Sequence, residues 1–219
     1  MKNTIKKLFA LLLVMFCICS CLMVSAHEIF YDANGNGIEL RWANIQNGLP
    51  HLKINGDELS DEYYQYYDSA VDAWDSASSR VTTVATSSIN ANVHMITPSQ
   101  DYWQSRHGWD WADVVGCTDN RDSAGNYITS VSAAINSTGA IVGSTIYLTP
   151  FTDSSYDEDF PGVHMEKTMV HELGHALGLG HPDGDYYPIP SYTTSIMRRG
   201  FEGYCYPQPH DYTDLSSMY

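Results

Sequence analysis

The sequence predicts a single α+β domain, on three observations. Short β-branched runs alternate with segments whose apolar residues recur at helical spacing. The composition, 43% hydrophobic and 12% aromatic against 17% charged, is that of a chain able to bury a core. No internal repeat or low-complexity linker divides the 219 residues, a length that suits one domain.

The first element is a targeting segment. Lys2, Lys6 and Lys7 precede the uncharged run from Leu8 to Val24. Val24-Ser25-Ala26 then offers small or modest residues where a signal peptidase reads, predicting cleavage before His27. Residues 1–26 are therefore read as a signal peptide and the protein as secreted. The alternatives are an uncleaved N-terminal anchor and a lipoprotein, the latter suggested by Ile18-Cys19-Ser20-Cys21. Cleavage removes three lysines and no acid, leaving 193 residues and moving the formal charge from −15 to −18. That acidity argues against nucleic acid or an anionic membrane as the main partner, because such surfaces attract lysine and arginine. Three of the five cysteines leave with the leader. The remaining two, Cys117 and Cys205, read as one disulfide in an exported chain. Closing that loop of about 88 residues would contribute roughly 4–5 kcal/mol on the chain-entropy account. Two buried thiols are the alternative.

The elements of the mature chain follow in order. Residues 27–48 form a short N-terminal segment with a turn cluster at Asp32 to Gly37. Pro50 to Ile54 reads as a strand ended by Asn55-Gly56. Asp57 or Ser60 can then cap a long helix to about Ser78, with Leu59, Tyr63, Tyr66, Tyr67, Ala70, Val71 and Trp74 at helical spacing. Val81 to Val84, and Ala91 to Thr97 before Pro98, read as strands. Residues 99–126 are rich in Asp, Gly, Asn and Trp and read as a long irregular excursion. Ile128 to Ile135 and Ala140 to Leu148 flank Asn136-Ser137-Thr138-Gly139, a hairpin signal.

A helix from about Val163 to Leu177 carries the chemistry. Met165, Met169, Val170, Leu173 and Leu177 fall on one face, and His171 and His175 lie nearly opposite, one turn apart. Two imidazoles so placed can bind one ion. Gly178 can end the helix in a left-handed conformation and turn the chain so that His181 supplies a third nitrogen. Three neutral imidazoles leave the fourth position of a tetrahedral zinc open, the arrangement of a catalytic site. Glu172 points to a different azimuth, outside the ligand set. There it can take a proton from a water whose pKa the zinc lowers, and later return it to a leaving amine. Three incidental histidines on an exposed helix face, or a closed structural zinc site, are the competing readings. No fourth Cys or His stands at short spacing to close such a site.

The segment His171-Glu172-Leu173-Gly174-His175-Ala176-Leu177-Gly178-Leu179-Gly180-His181 resembles the HExxHxxGxxH motif of the metzincin zinc endopeptidases. Ser195-Ile196-Met197, shortly after it, resembles the Met-turn of that clan, which implies that Met197 is a packing floor beneath the imidazoles. The terminal stretch from Pro209 to Tyr219, with Asp211 near its start, looks like the last helix of the matrixin branch. The resemblance covers about residues 49–219 and implies a metzincin fold over that catalytic domain. That fold has a twisted mixed β-sheet, a long N-terminal helix, an active-site helix and a short C-terminal helix. It also implies that Ser144, Thr145, Ile146 and Tyr147 belong to the edge strand that pairs with an extended peptide or protein substrate. The loop from Pro182 to Ile196, with Tyr192, would wall the pocket beyond the scissile bond.

Some residues depart from the matrixin pattern. Arg199 stands where some metzincins carry a zinc-contacting tyrosine, no cysteine-switch motif is present, and Pro182 replaces a usual serine. Asp153, Asp157, Glu158 and Asp159 offer oxygen ligands for calcium, with a solvated acidic loop as the alternative. His107, with Asp110 and Asp113, is read as a surface loop in preference to a second metal site. The sequence thus predicts a monomeric, secreted zinc metalloendopeptidase. The alternative is a non-catalytic zinc-binding interaction module that retains the same site.

Overall fold

The computed structural model describes residues 29–31, 37–77, 80–107, 114–129, 133–134, 139–151, 162–182, 194–199 and 205–219. The expected signal peptide lies outside these residues, as do the acidic run at 153–159 and Tyr192. Among the described residues, no helix is long and apolar enough to cross a membrane.

The chain opens with β1 (Ile29–Tyr31), paired antiparallel with β2 (Gly37–Glu39), then β3 (Arg41–Trp42) and β4 (Ile45–Gln46). Asn47 and Gly48 both have positive φ, 54° and 83°, and link β4 to an antiparallel β5 (Leu49–Glu58). An Asn-Gly pair suits a two-residue hairpin that needs left-handed backbone at both positions. Asn55-Gly56 does not end β5 as the turn signal predicts. Asn55 instead bonds Asp57 through both its side-chain amide and its side-chain oxygen. The pairing shifts register between Asn55 and Glu58, so the residues make a bulge within a longer strand.

The expected long helix is two helices, α1 (Asp61–Tyr64) and α2 (Tyr67–Ala77). The Gln65 side-chain amide donates to the Glu62 carbonyl at 2.9 Å, the bond that the Tyr66 amide would make in a continuous helix. Tyr66 N–H bonds Tyr63 O instead, which tightens the turn. The strands expected near 81–84 and 91–97 are β6 (Thr82–Thr86) and β7 (Val93–Ile96).

The excursion at 99–126 holds two elements, α3 (Gln100–His107) and β8 (Gly116–Arg121). After β8 the Asp122 carboxylate accepts from the amides of Ala124 and Asn126, both at 2.9 Å, and turns the chain. The predicted strand at 128–135 does not form at its described positions. Ile128 packs in the core and residues 133–134 are helical, while the rest of that run lies outside the described residues. β9 (Ala140–Ile141) pairs parallel with β3, and β10 (Gly143–Leu148) enters the main sheet. The chain closes with α4 (Gly162–Ala176) and α5 (Pro209–Met218).

The main sheet runs β6-β5-β7-β10-β8, with β4 on the start of β5. β5, β6, β7 and β10 are parallel and β8 is antiparallel to β10, so the sheet is mixed, as expected. One expectation is overturned here. Ser144 to Leu148 lies between β7 and β8 and has neighbours on both sides, so Ser144, Thr145, Ile146 and Tyr147 are not an edge. All four are buried, and β8 is the outer strand among the described residues. Successive strand residues point to opposite faces. Gly116, Thr118 and Asn120 of β8 accordingly face α4, and Cys117 and Asp119 face α3, where Asp119 pairs with Arg106 at 2.7 Å.

The core lies between the sheet and the two long helices. Trp74 of α2 is fully buried and its indole N–H donates to the Val170 carbonyl of α4 at 2.8 Å. Leu40 and Trp42, from the N-terminal segment, belong to the same core. The Trp42 indole donates to Ala176 O at 2.8 Å, and the Tyr219 hydroxyl donates to Leu177 O at 2.9 Å. Carbonyls that a helix leaves unsatisfied at its C-terminus are thus taken up by side chains distant in sequence.

Candidate metal centre

α4 forms because its apolar positions make one continuous buried stripe. Met165, Met169, Val170, Leu173, Ala176 and Leu177 are all buried. Gly174 sits on that stripe because nothing larger fits. A Cβ there would stand 2.2 Å from Met197 Sδ and 2.9 Å from Trp74 Cζ2. Met197 is fully buried against this point of the helix, between the two helix histidines in sequence.

The helix ends as the glycine predicts. Gly178 has φ 94°, its amide bonds His175 O, and the Leu179 amide bonds Gly174 O. That bond pair is a Schellman motif, which reverses the chain within three residues. It also aims the Leu179 carbonyl at the His175 ring, whose Nδ1 donates to it at 2.7 Å. His171 Nδ1 donates to Ile196 O, also at 2.7 Å.

These two bonds place the ring protons of His171 and His175 on Nδ1 and leave both Nε2 atoms as acceptors. The Nε2 of His181 lies 3.1 Å from that of His171 and 3.2 Å from that of His175. At most one proton, on His181, is available to three converging nitrogens, so the cluster calls for a cation. A tetrahedral zinc with Zn–N of about 2.0–2.1 Å needs nitrogens about 3.3–3.4 Å apart, and the donor set fits it. Among the described residues, this is the one group of three or more His, Cys, Asp or Glu able to hold a metal. Glu172 is outside it, as the helix azimuth predicts.

The imidazoles are kept neutral. Burial, then the charges of His175 and His181, hold His171 well below the usual histidine value. Burial pushes His175 down to about 4, against the Leu179 bond, and burial with His175 and Arg199 pushes His181 to about 3. In the unfolded chain these histidines take protons near 6.5, while the folded, metal-free site does not until about 4 or below. Acid therefore favours the unfolded state. The metal-free protein is expected to be fully stabilised by these groups above pH 6.5 and to lose that stability as pH falls toward 4. Thermal unfolding in chelator at pH 7.5 and pH 5 measures this, and an unchanged or higher midpoint at pH 5 contradicts it.

Glu172 is buried and its carboxylate turns toward β8. The Thr118 hydroxyl stands 2.7 Å from Glu172 Oε2 and 2.9 Å from the Glu172 carbonyl. Gly116, two residues earlier on the same face, leaves space for it. A Cβ there would meet Glu172 Cγ at 2.8 Å, Glu172 Oε1 at 2.9 Å and Thr168 Cγ2 at 2.8 Å. Asn120, next along that face, donates to the His175 carbonyl at 3.0 Å.

Asp211 organises the turn that carries Met197. Fully buried, it accepts from Ser195 Oγ at 2.6 Å, from Ile196 N at 3.0 Å and from Gln208 N at 2.6 Å. Burial raises its pKa while these hydrogen bonds pull it down. Because Ile196 O holds the His171 ring, Asp211 reaches the metal centre through one residue. Asp211→Ala removes the acceptor of three hydrogen bonds and should cost about 3–5 kcal/mol. Denaturant unfolding would show it as a lower midpoint at constant slope. A loss under 1 kcal/mol would contradict the assignment.

The expected disulfide is absent. Cys117 and Cys205 are both thiols. Cys117 projects from the β8 face turned away from α4, with its sulfur 3.7 Å from His107 Nε2, while Cys205 lies beside Lys167 of α4. Burial, then the Glu172 charge, pushes the Cys117 thiol up to about 12. His107 ends α3 and packs on Trp103 with ring centroids 4.4 Å apart, so it belongs to a helix and not to a surface loop, while Asp110 and Asp113 lie outside the described residues.

Sequence reasoning did not identify Gly116, Thr118, Asn120, Trp42 or Tyr219 as site residues. Each reaches α4 from 40 or more positions away, and the polar run Gly116 to Arg121 carries no strand periodicity.

Comparison with known proteins places these observations. Residues 58–182, more than half of the chain, match the family model "Metallo-peptidase family M12B Reprolysin-like". The matched segment includes all three histidines and Glu172. The family is not the matrixin branch. The motif and the Met-turn are common to the clan, and Pro182 already departs from matrixins. Among solved structures, two of myroilysin are similar, each at 12% identity. One has a TM-score of 0.44 over 83% of this chain and 97% of that one, the other 0.43 over 82% and 85%. No curated protein matches.

Proposed function

The chain belongs to the reprolysin-like metallopeptidase family M12B, a family of zinc proteases, and we propose that it is a secreted endopeptidase in which Glu172 is the general base. The observation that carries this reading is the convergence of three neutral Nε2 atoms, 3.1 and 3.2 Å apart, one residue from a buried carboxylate. His171, His175 and His181 would hold the metal. Bound there, zinc would supply Lewis acidity, polarising a peptide carbonyl and making water a nucleophile at neutral pH.

The rest is the work of the chain. Carbonyls of Ile196 and Leu179 fix the tautomers of His171 and His175, so that both present lone pairs to the cation. Met197, buried and wedged against Gly174, would serve as an apolar floor beneath the imidazoles. Glu172 accepts a proton from the attacking water and returns it to the leaving amine. The outer edge of β8 from Gly116 to Asp119, whose inner edge is paired with β10, would supply backbone N–H and C=O groups for an extended substrate, while at Asn120 and Arg121 that edge is already paired with Ile128 and Tyr127. The export reading rests on Lys2, Lys6, Lys7, the uncharged run after them and Ala26.

Proteolysis of denatured casein tests the reading. Activity should vanish on chelation and return with one equivalent of zinc per chain. Cleavage that persists after complete metal removal would overturn it.

A further inference from the structure

We propose that Thr118 is a positioning residue for the Glu172 carboxylate, and that Gly116 is the space that admits it. The proposal rests on Glu172 being the general base and deepens that reading.

A glutamate has three side-chain torsions, and a general base works only when its carboxylate is held at the reacting proton. The histidines are tied through Nδ1, but Glu172 finds its partner 54 residues away in the outer strand. The Thr118 hydroxyl touches both Oε2 at 2.7 Å and the main-chain carbonyl of the same residue at 2.9 Å. It thus bridges the main chain and the carboxylate of one residue. Having a single proton, it can donate to either acceptor in turn and follow the carboxylate through the reaction without leaving its place.

Gly116 completes the seat. With Thr168 on the far side, a methyl group at Gly116 would enter the volume that Glu172 Cγ and Oε1 occupy. The glycine has no positive φ, so its requirement is the space and not the backbone. Both residues sit on the part of β8, Gly116 to Asp119, whose outer edge carries no strand among the described residues, so base and substrate would be referenced to one element.

Three variants test this: Thr118→Val, which keeps shape and loses the hydroxyl, Thr118→Ser, which keeps the hydroxyl, and Gly116→Ala. With labelled denatured casein as substrate, Thr118→Val should lower kcat about 10- to 100-fold, with KM and zinc content within about twofold of wild type. Thr118→Ser should recover to within about threefold of wild type. In a Glu172→Gln background, Thr118→Val should cause no further loss, since the side chain it positions can no longer take a proton. Gly116→Ala should lower kcat as Thr118→Val does. A crystal structure of metal-free Thr118→Val should show the Glu172 carboxylate turned from its seat. The proposal is overturned if kcat is unchanged, if serine fails to rescue, if the loss is confined to KM, or if the carboxylate stays in place. If Glu172→Gln itself retains full turnover, the general-base reading fails and not merely the part given to Thr118.

Discussion

Replacing His175 with alanine is expected to empty the metal centre and end proteolysis while leaving the chain folded. The argument is one of counting and of geometry. The three Nε2 atoms make a complete face of a tetrahedron, and two nitrogens with solvent hold zinc far less well. Loss of an outer partner alone costs about 10–100-fold in affinity, so loss of a ligand should cost more than that. The helix should survive, since its end is held by the Gly178 turn, the Trp42 indole and the Tyr219 hydroxyl, none of which needs the imidazole. Zinc analysis of protein dialysed against metal-free buffer should give less than about a tenth of an equivalent for the variant and about one for wild type. Circular dichroism should be unchanged. Retention of a full equivalent would mean that His175 is not a ligand.

The metal centre was legible because it is local. His171 and His175 share a helix face by periodicity alone, and Gly178 announces the reversal that delivers His181. The opposing stripe, from Met165 to Leu177, was equally visible, since burial at i, i+3 and i+4 leaves a direct mark on composition. The sheet is legible only where its strands are β-branched or apolar. β6, β7 and β10 carry β-branched or apolar runs, whereas β8 reads Gly-Cys-Thr-Asp-Asn-Arg, as an outer strand can. Its residues are chosen by what they touch: Gly116 and Thr118 by Glu172, Asn120 by the His175 carbonyl, Asp119 by Arg106. None of these contacts has a period. Mistaking β10 for the edge followed directly, because without β8 the sheet stops one strand short.

Three other differences have the same root. The single long helix at 57–78 breaks because one glutamine side chain takes one backbone carbonyl. Asn55-Gly56 becomes a bulge because the neighbouring strand continues past it. The logic of an exported chain pairs Cys117 with Cys205, but pairing depends on where the sulfurs point, and the alternation of β8 turns Cys117 toward His107. Asp211 was seen as an early residue of the last helix. Its bond from Gln208 is the local capping box of α5, but those from Ser195 and Ile196 appear only once α5 lies beside the Met197 turn.

The central claim is that three histidines hold zinc and Glu172 moves the proton, so the second large effect separates these roles. Glu172→Gln keeps the size of the side chain and can still bond Thr118, yet cannot accept a proton from water. It is expected to bind zinc as wild type does, because Glu172 lies outside the ligand group. Its kcat should fall by about 10²–10⁴-fold, the range that positioned proton transfer contributes. The direct measurement is zinc stoichiometry and turnover of denatured casein on the same preparation of wild type and Glu172→Gln. The account predicts one zinc in each protein and turnover only in the first. Equal turnover in both, or loss of zinc along with turnover in the variant, would contradict it.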